Sequence, residues 1–180
     1  AIQSINIQSG IFCLMKDRFQ DIIWVGADGQ GIYMYFTDEF SIENVLLDVP
    51  EYRVNNPVRA LFLDHEQTLW IGTKGGGILR MMDFHPDRET LPQAERILAN
   101  NSALMDNSVY SFAPGRRNSL WIGTEDGLNY YSYLTRRIEE FPVIADGKKV
   151  KYVHSICETN DSTLWVVSAG EGIVKITLEA

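Results

Sequence analysis

Cysteine is nearly absent from this chain. Only Cys13 and Cys157 occur in 180 residues, too few for a disulfide framework and too few to fix the redox compartment. Histidine is as scarce: His65, His85 and His154 lack the spacing of a zinc site. Basic residues are outnumbered, 16 Lys and Arg against 24 Asp and Glu, which leaves a net charge of −8. That balance argues against nucleic acid as a partner. No run of 18 apolar residues occurs, so no helical membrane span is expected. The opening Ala1-Ile2-Gln3-Ser4-Ile5-Asn6-Ile7 lacks the basic start and apolar core of a signal peptide. The calcium-loop pattern D-x-D-x-[DN]-G is missing, so Asp28, Glu125, Asp126 and Glu171 read as solvated turn residues. No Gly-Lys-[Ser/Thr] follows Gly75-Gly76-Gly77, and no G-x-S-x-G occurs. No catalytic residue, metal site or cofactor is therefore assigned.

What the chain does have is one recurring phrase that contains all four of its tryptophans. Ile23-Trp24-Val25-Gly26 is followed by Leu69-Trp70-Ile71-Gly72-Thr73, Leu120-Trp121-Ile122-Gly123-Thr124 and Leu164-Trp165-Val166-Val167-Ser168. The tryptophans are 46, 51 and 44 residues apart. Val58, Val109 and Val153 lie 12 residues before Trp, and Ile11 lies 13 before, so the first unit has one extra residue in its first hairpin. A glycine and an aliphatic residue follow Trp at seven residues in Gly31-Ile32, Gly77-Ile78 and Gly172-Ile173, and at six in Gly127-Leu128. A period in the forties with several short apolar runs per unit predicts an all-β β-propeller with four blades of about four antiparallel strands.

The blades are expected near residues 9–50, 51–100, 101–145 and 146–180. Each reads as an inner strand, a hairpin, the Trp strand, a Gly turn, a third strand and a variable outer strand. In unit two these are Val58–Leu63, Leu69–Thr73, Gly77–Met82 and a run near Arg96–Leu98, reached by a polar loop from Asp83 to Ala94. Blades pack face to face, so both faces of each strand are expected to be buried. Each Trp is expected to wedge between neighbouring blades, with Gly26, Gly72 and Gly123 as structural partners in the phrase. Cys13 and Cys157 do not share a repeat position and are expected as buried free thiols. Unit four lacks an outer strand, and Ile2–Ile7 alternates like one. Residues 1–8 are therefore expected to complete another blade, within the chain beside Gly172–Thr177 or between two chains. A dimer of two half-rings is favoured over a closed four-bladed ring.

The phrase [LI]-W-I-G-T-x-x-G-[GL], with a preceding V-x-[SA]-[IFL] strand, resembles the two-component regulator propeller repeat. It is carried by Val58-Arg59-Ala60-Leu61 with Leu69 to Gly77, and again by Val109-Tyr110-Ser111-Phe112 with Leu120 to Leu128. Units one and four depart from it at Gly26-Ala27 and Val167-Ser168. The resemblance implies the periplasmic sensor region of a hybrid two-component histidine kinase of glycan-degrading gut bacteria. It also implies a larger propeller, of which this chain would be a fragment, and a carbohydrate signal. No kinase module is implied here, since none of the three histidines lies on a helical pattern.

Propeller geometry puts the start of each inner strand and the turn after each Trp strand at the same end of the molecule. That grouping makes Asn56, Arg59, Asn107, Tyr110, Lys151 and His154 candidate ligand contacts, with Phe12 in the equivalent place in unit one. Arg and Asn can hydrogen-bond hydroxyls or carboxylates, and an aromatic face can stack on a sugar ring. The alternative is that they are ordinary turn and packing residues. Three functions follow: a sensor module binding an oligosaccharide or partner domain, a dimerising interaction scaffold without a small ligand, or a propeller lyase with His154 in its channel.

Overall fold

The computed structural model describes residues 1–45 and 49–179. The described residues are all-β, with one 3₁₀ turn among them at Pro50–Tyr52. The first sheet holds β1 (Ile11–Lys16), β2 (Ile22–Ala27), β3 (Ile32–Phe36) and β4 (Ser41–Asn44) in that spatial order. The second holds β5 (Val58–Leu63), β6 (Thr68–Thr73), β7 (Ile78–Met82) and β8 (Gln93–Ile97). The third holds β9 (Val109–Gly115), β10 (Ser119–Thr124), β11 (Gly127–Ser132) and β12 (Arg137–Glu140). A short hairpin follows, β13 (Ile144–Ala145) with β14 (Lys148–Lys149). The last sheet has three strands, β15 (Val153–Glu158), β16 (Thr163–Ser168) and β17 (Gly172–Thr177). The sheets are antiparallel meanders, one per repeat, and the inner strands β1, β5, β9 and β15 neighbour one another in sequence order.

The repeat phrase is the lock between blades. A Cβ added to Gly26, Gly72 or Gly123 would lie 2.7, 2.9 and 2.7 Å from the Cγ1 of Val58, Val109 and Val153 respectively. Each of those valines opens the inner strand of the following blade and is fully buried. The repeated spacing is therefore a knob and its hole: the glycine leaves room for the next blade's valine. In blade four the same position is Val167, which is exposed.

The tryptophans follow the same logic. Trp24, Trp70 and Trp121 are buried between successive blades, as expected. Trp165 differs: it is 40% exposed, because no blade in the described chain packs on its side. Leu14, on the opposite end blade, is also exposed. The expected Ile2–Ile7 strand is not formed. Residues 1–7 have no regular structure, and Ile2 and Ile5 are exposed. No pairing with β17 closes the ring within the chain. Both cysteines are free thiols, but only Cys13 is partly buried; Cys157 is exposed, because it lies on the open face of blade four.

Candidate functional site

Every inner strand carries a β-bulge at its second residue. Ile11 pairs with Ala27 and Cys13 with Gly26, which leaves Phe12 extra. Val58 pairs with Thr73 and Ala60 with Gly72, which leaves Arg59 extra. Tyr110 is extra between the pairs Val109–Thr124 and Ser111–Gly123. His154 is extra between Val153–Ser168 and Ser155–Val167. A bulge takes one residue out of the ladder and re-aims its side chain. Four blades with the same bulge thus present four re-aimed side chains along neighbouring inner strands.

These side chains meet. The Arg59 guanidinium carbon lies 4.5 Å from the Phe12 ring centroid and 5.5 Å from that of Tyr110. The Tyr110 and His154 rings stack with centroids 4.7 Å apart and planes 28° from parallel. The Tyr110 hydroxyl donates to Glu125 Oε1 at 3.2 Å, from the turn between β10 and β11. Burial first, then the Glu125 carboxylate, pushes the Tyr110 hydroxyl above its usual range, so it remains a donor at neutral pH. Among the described residues, no carboxylate pairs with Arg59 and no hydrogen bond occupies its N–H groups. The row is thus an aromatic–cation–aromatic–imidazole strip with an uncommitted five-donor fork at its centre.

The other candidates are placed differently. The Asn56 amide donates to the Lys74 carbonyl at 3.2 Å and so braces the turn after β6. Asn107 Oδ1 accepts from the Ala99 N–H at 2.8 Å, while its carbonyl accepts from the Gly75 and Gly77 N–H groups. Both asparagines serve turns of blade two. Lys151 Nζ is 3.5 Å from Asp126, which also pairs with Lys149 at 2.9 Å. The Lys149 hydrogen bond is the main reason the Asp126 carboxyl is held below its usual range. Phe12, Arg59, Tyr110 and His154 are brought together, whereas Asn56 and Asn107 are committed to turns. No three His, Cys, Asp or Glu side chains group as metal ligands among the described residues.

A second set of polar residues escaped the reading of the sequence. The Trp24 indole N–H donates to Asp17 Oδ2 and that of Trp70 to Asp64 Oδ2, both at 2.9 Å. Both carboxylates are buried and also accept hairpin N–H groups, Asp17 from Phe19 and Gln20, Asp64 from Glu66 and Thr68. In blade three Gly115 stands at the Asp64 position, and Trp121 donates instead to Glu158 Oε2 of blade four at 2.8 Å. The signal was an Asp seven residues before Trp24 and six before Trp70. Its transfer to another blade in the third repeat left no local trace.

Comparison with known proteins agrees with the repeat architecture. The family model of the two component regulator propeller matches residues 53–75 and 103–126, the two repeats that carry the full phrase. A curated relative, "Histidine kinase P4" of Formosa agariphila, is 28% identical over 98% of this chain, which spans 13% of that protein's length. Two solved structures share the fold. The extracellular domain of a putative hybrid two component system from B. thetaiotaomicron aligns with TM-score 0.63 at 18% identity, over 99% of this chain and 28% of its own. PorZ, a surface component of the type-IX secretion system of Porphyromonas gingivalis, aligns with TM-score 0.69 at 14% identity, over 93% of this chain and 26% of its own.

Proposed function

We propose that this chain, two of whose repeats match the two component regulator propeller model, is a ligand-sensing segment of a hybrid histidine kinase and acts outside the cytoplasm. The ligand class is an oligosaccharide, held at the bulge row. The observation that carries this reading is the uncommitted Arg59 fork between Phe12 and Tyr110. A sugar ring offers an apolar face to Phe12, Tyr110 or His154 and paired hydroxyls to the guanidinium. The repeated bulge makes this strip a property of the whole set of blades, so ligand occupancy bears on how the inner strands sit against one another. That relation supports a sensor better than a catalyst.

Calorimetry with a panel of oligosaccharide fragments tests the reading. One class should bind saturably, and Arg59→Ala or Tyr110→Ala should weaken it by roughly 1–3 kcal/mol with melting unchanged. Unchanged affinity in both variants would contradict it. A second reading, an interaction scaffold, is favoured by the apolar faces that the end blades leave open at Leu14, Trp165 and Ile173. A second copy of the chain or further blades of a parent propeller would suit them.

A further inference from the structure

The hairpins that join each inner strand to its Trp strand share a register. Lys16 pairs with Ile23, Leu63 with Leu69, Pro114 with Leu120 and Glu158 with Leu164. Two residues further on, Arg18, His65, Arg116 and Asn160 therefore hold one repeat position. In blades one and three the arginine at that position reaches over to the next blade. Arg18 Nη2 donates to the Leu63 carbonyl at 2.7 Å, and Arg116 Nη1 donates to the Asn160 carbonyl at 2.6 Å. In blade two the shorter His65 makes no such bridge. Its ring meets Tyr133 of blade three edge-on, with centroids 4.5 Å apart, and its nitrogens bond no described residue.

A pocket of about 160 Å³ lies where that bridge is missing. It belongs to an internal contact, since blades two and three each have a blade on both sides. Phe62, Pro114 and Tyr133 give it an apolar wall, and Arg18, His65 and Asn118 bring polar groups from three successive blades. No carboxylate lines it among the described residues. Arg18 spends Nη2 on Leu63, while its other N–H groups and the Asn118 side-chain amide bond no described residue. The charged and titratable groups around His65 are Arg18, Asp64 and Glu66, with Tyr133 and Arg136 from blade three. The two carboxylates are already paired within the chain. Asp64 Oδ2 accepts from the Trp70 indole and the Tyr133 hydroxyl, each at 2.9 Å, and Oδ1 accepts from two backbone N–H groups. Glu66 is held by the Arg136 guanidinium, with Nη2 at 2.8 Å.

We propose that this pocket binds a tetrahedral oxyanion of the phosphate or sulfate type, held by Arg18, His65 and Asn118 and so bridging the hairpins of blades one, two and three. The anion is free or is the terminal group of a monoester; the chemistry recognised is the same. Donors drawn from three blades suit an ion with oxygens on every side better than a planar carboxylate, which offers one edge. A guanidinium and a protonated imidazole match its two negative charges, and such charge-assisted hydrogen bonds are the strong ones. The ion would complete the blade-to-blade link that arginine makes at the neighbouring interfaces. The site lies at the hairpin end, apart from the bulge row, and does not depend on what that row binds.

The test is an NMR titration of the whole chain with sodium sulfate at constant ionic strength, followed on the His65 ring and the Asn118 side-chain amide near pH 5.5 and pH 8. Sulfate keeps both charges across that range, whereas an imidazole gains its charge within it. Both resonances should shift saturably, with binding at least about fivefold tighter at the lower pH, and acetate should bind at least about fivefold more weakly than sulfate there. His65→Gln, read on the Asn118 amide, should abolish the pH difference. Arg18→Gln should weaken binding about fivefold at both pH values while circular dichroism stays that of the folded chain. Tighter binding of glycerol phosphate than of inorganic phosphate identifies the source as a monoester, and the reverse identifies it as the free ion. Absence of a saturable shift, equal affinity at the two pH values, a pH difference that survives His65→Gln, or equal binding of acetate and sulfate would each overturn the proposal.

Discussion

The four tryptophans share a motif but not an environment, and that difference is measurable. Trp70 is fully buried, hydrogen-bonded to Asp64 and packed edge-on against Tyr131 at 4.9 Å. The buried Arg80 guanidinium adds to this, 4.3 Å from the Trp70 ring centroid. Trp70→Ala should cost about 3–5 kcal/mol through the cavity it leaves. Trp165→Ala, at an open face, should cost less than about 2 kcal/mol, because little water-excluded area is lost. Urea melts of the two variants check this, and equal losses would mean that Trp165 is covered in solution. The thiols give a second contrast. Burial pushes the Cys13 thiol up to about 11, which leaves little thiolate at neutral pH. A disulfide reagent at pH 8 should therefore modify the exposed Cys157 quickly and Cys13 only after unfolding, as mass spectrometry of timed aliquots would show.

At the scale of strands and hairpins, sequence and structure part company in an instructive way. The Trp and Gly spacing was legible because blade packing imposes shape directly on side chains: a valine needs a hole, and only glycine leaves one. The grouping of Arg59, Tyr110 and His154 was legible from the repeat register. The bulges that re-aim them were not, since a bulge is a slip between two strands and has no residue signature of its own. Within the single chain the expected strand at Ile2–Ile7 does not form, for a related reason. Alternation is necessary for a strand, but the partner edge must also be within reach. The Tyr133–Asp64 bond also belongs to this scale. Burial and then the Asp64 carboxylate raise the Tyr133 hydroxyl well above its ordinary range. Folding therefore favours the protonated phenol. Its contribution is complete below the unfolded value near 10 and is lost as pH rises above it. Melting temperature should fall above about pH 10, and Tyr133→Phe should be less stable at pH 8 yet show a flatter alkaline limb. An identical alkaline slope in the variant would place the titrating group elsewhere.

Among the described residues, blades one and four each leave one face uncovered. Blade four presents Trp165, Val167 and Ile173, the last 72% exposed, and blade one presents Leu14. Val167 stands where the other blades have the glycine hole, so this face differs from the internal contacts in shape as well as in exposure. Such surface favours burial against another apolar face. Light scattering should show concentration-dependent self-association that Trp165→Lys together with Ile173→Lys suppresses, while circular dichroism still reports a folded β-sheet protein. A wild-type monomer at every concentration would show that the faces stay solvated.

The bulge row gives the molecule its candidate function, and residue-resolved NMR mapping with the oligosaccharide that binds most tightly addresses it most directly. Perturbations should concentrate on Phe12, Arg59, Tyr110 and His154 and vanish in Arg59→Ala. Perturbations confined to other surfaces, with those four residues unmoved, would contradict it.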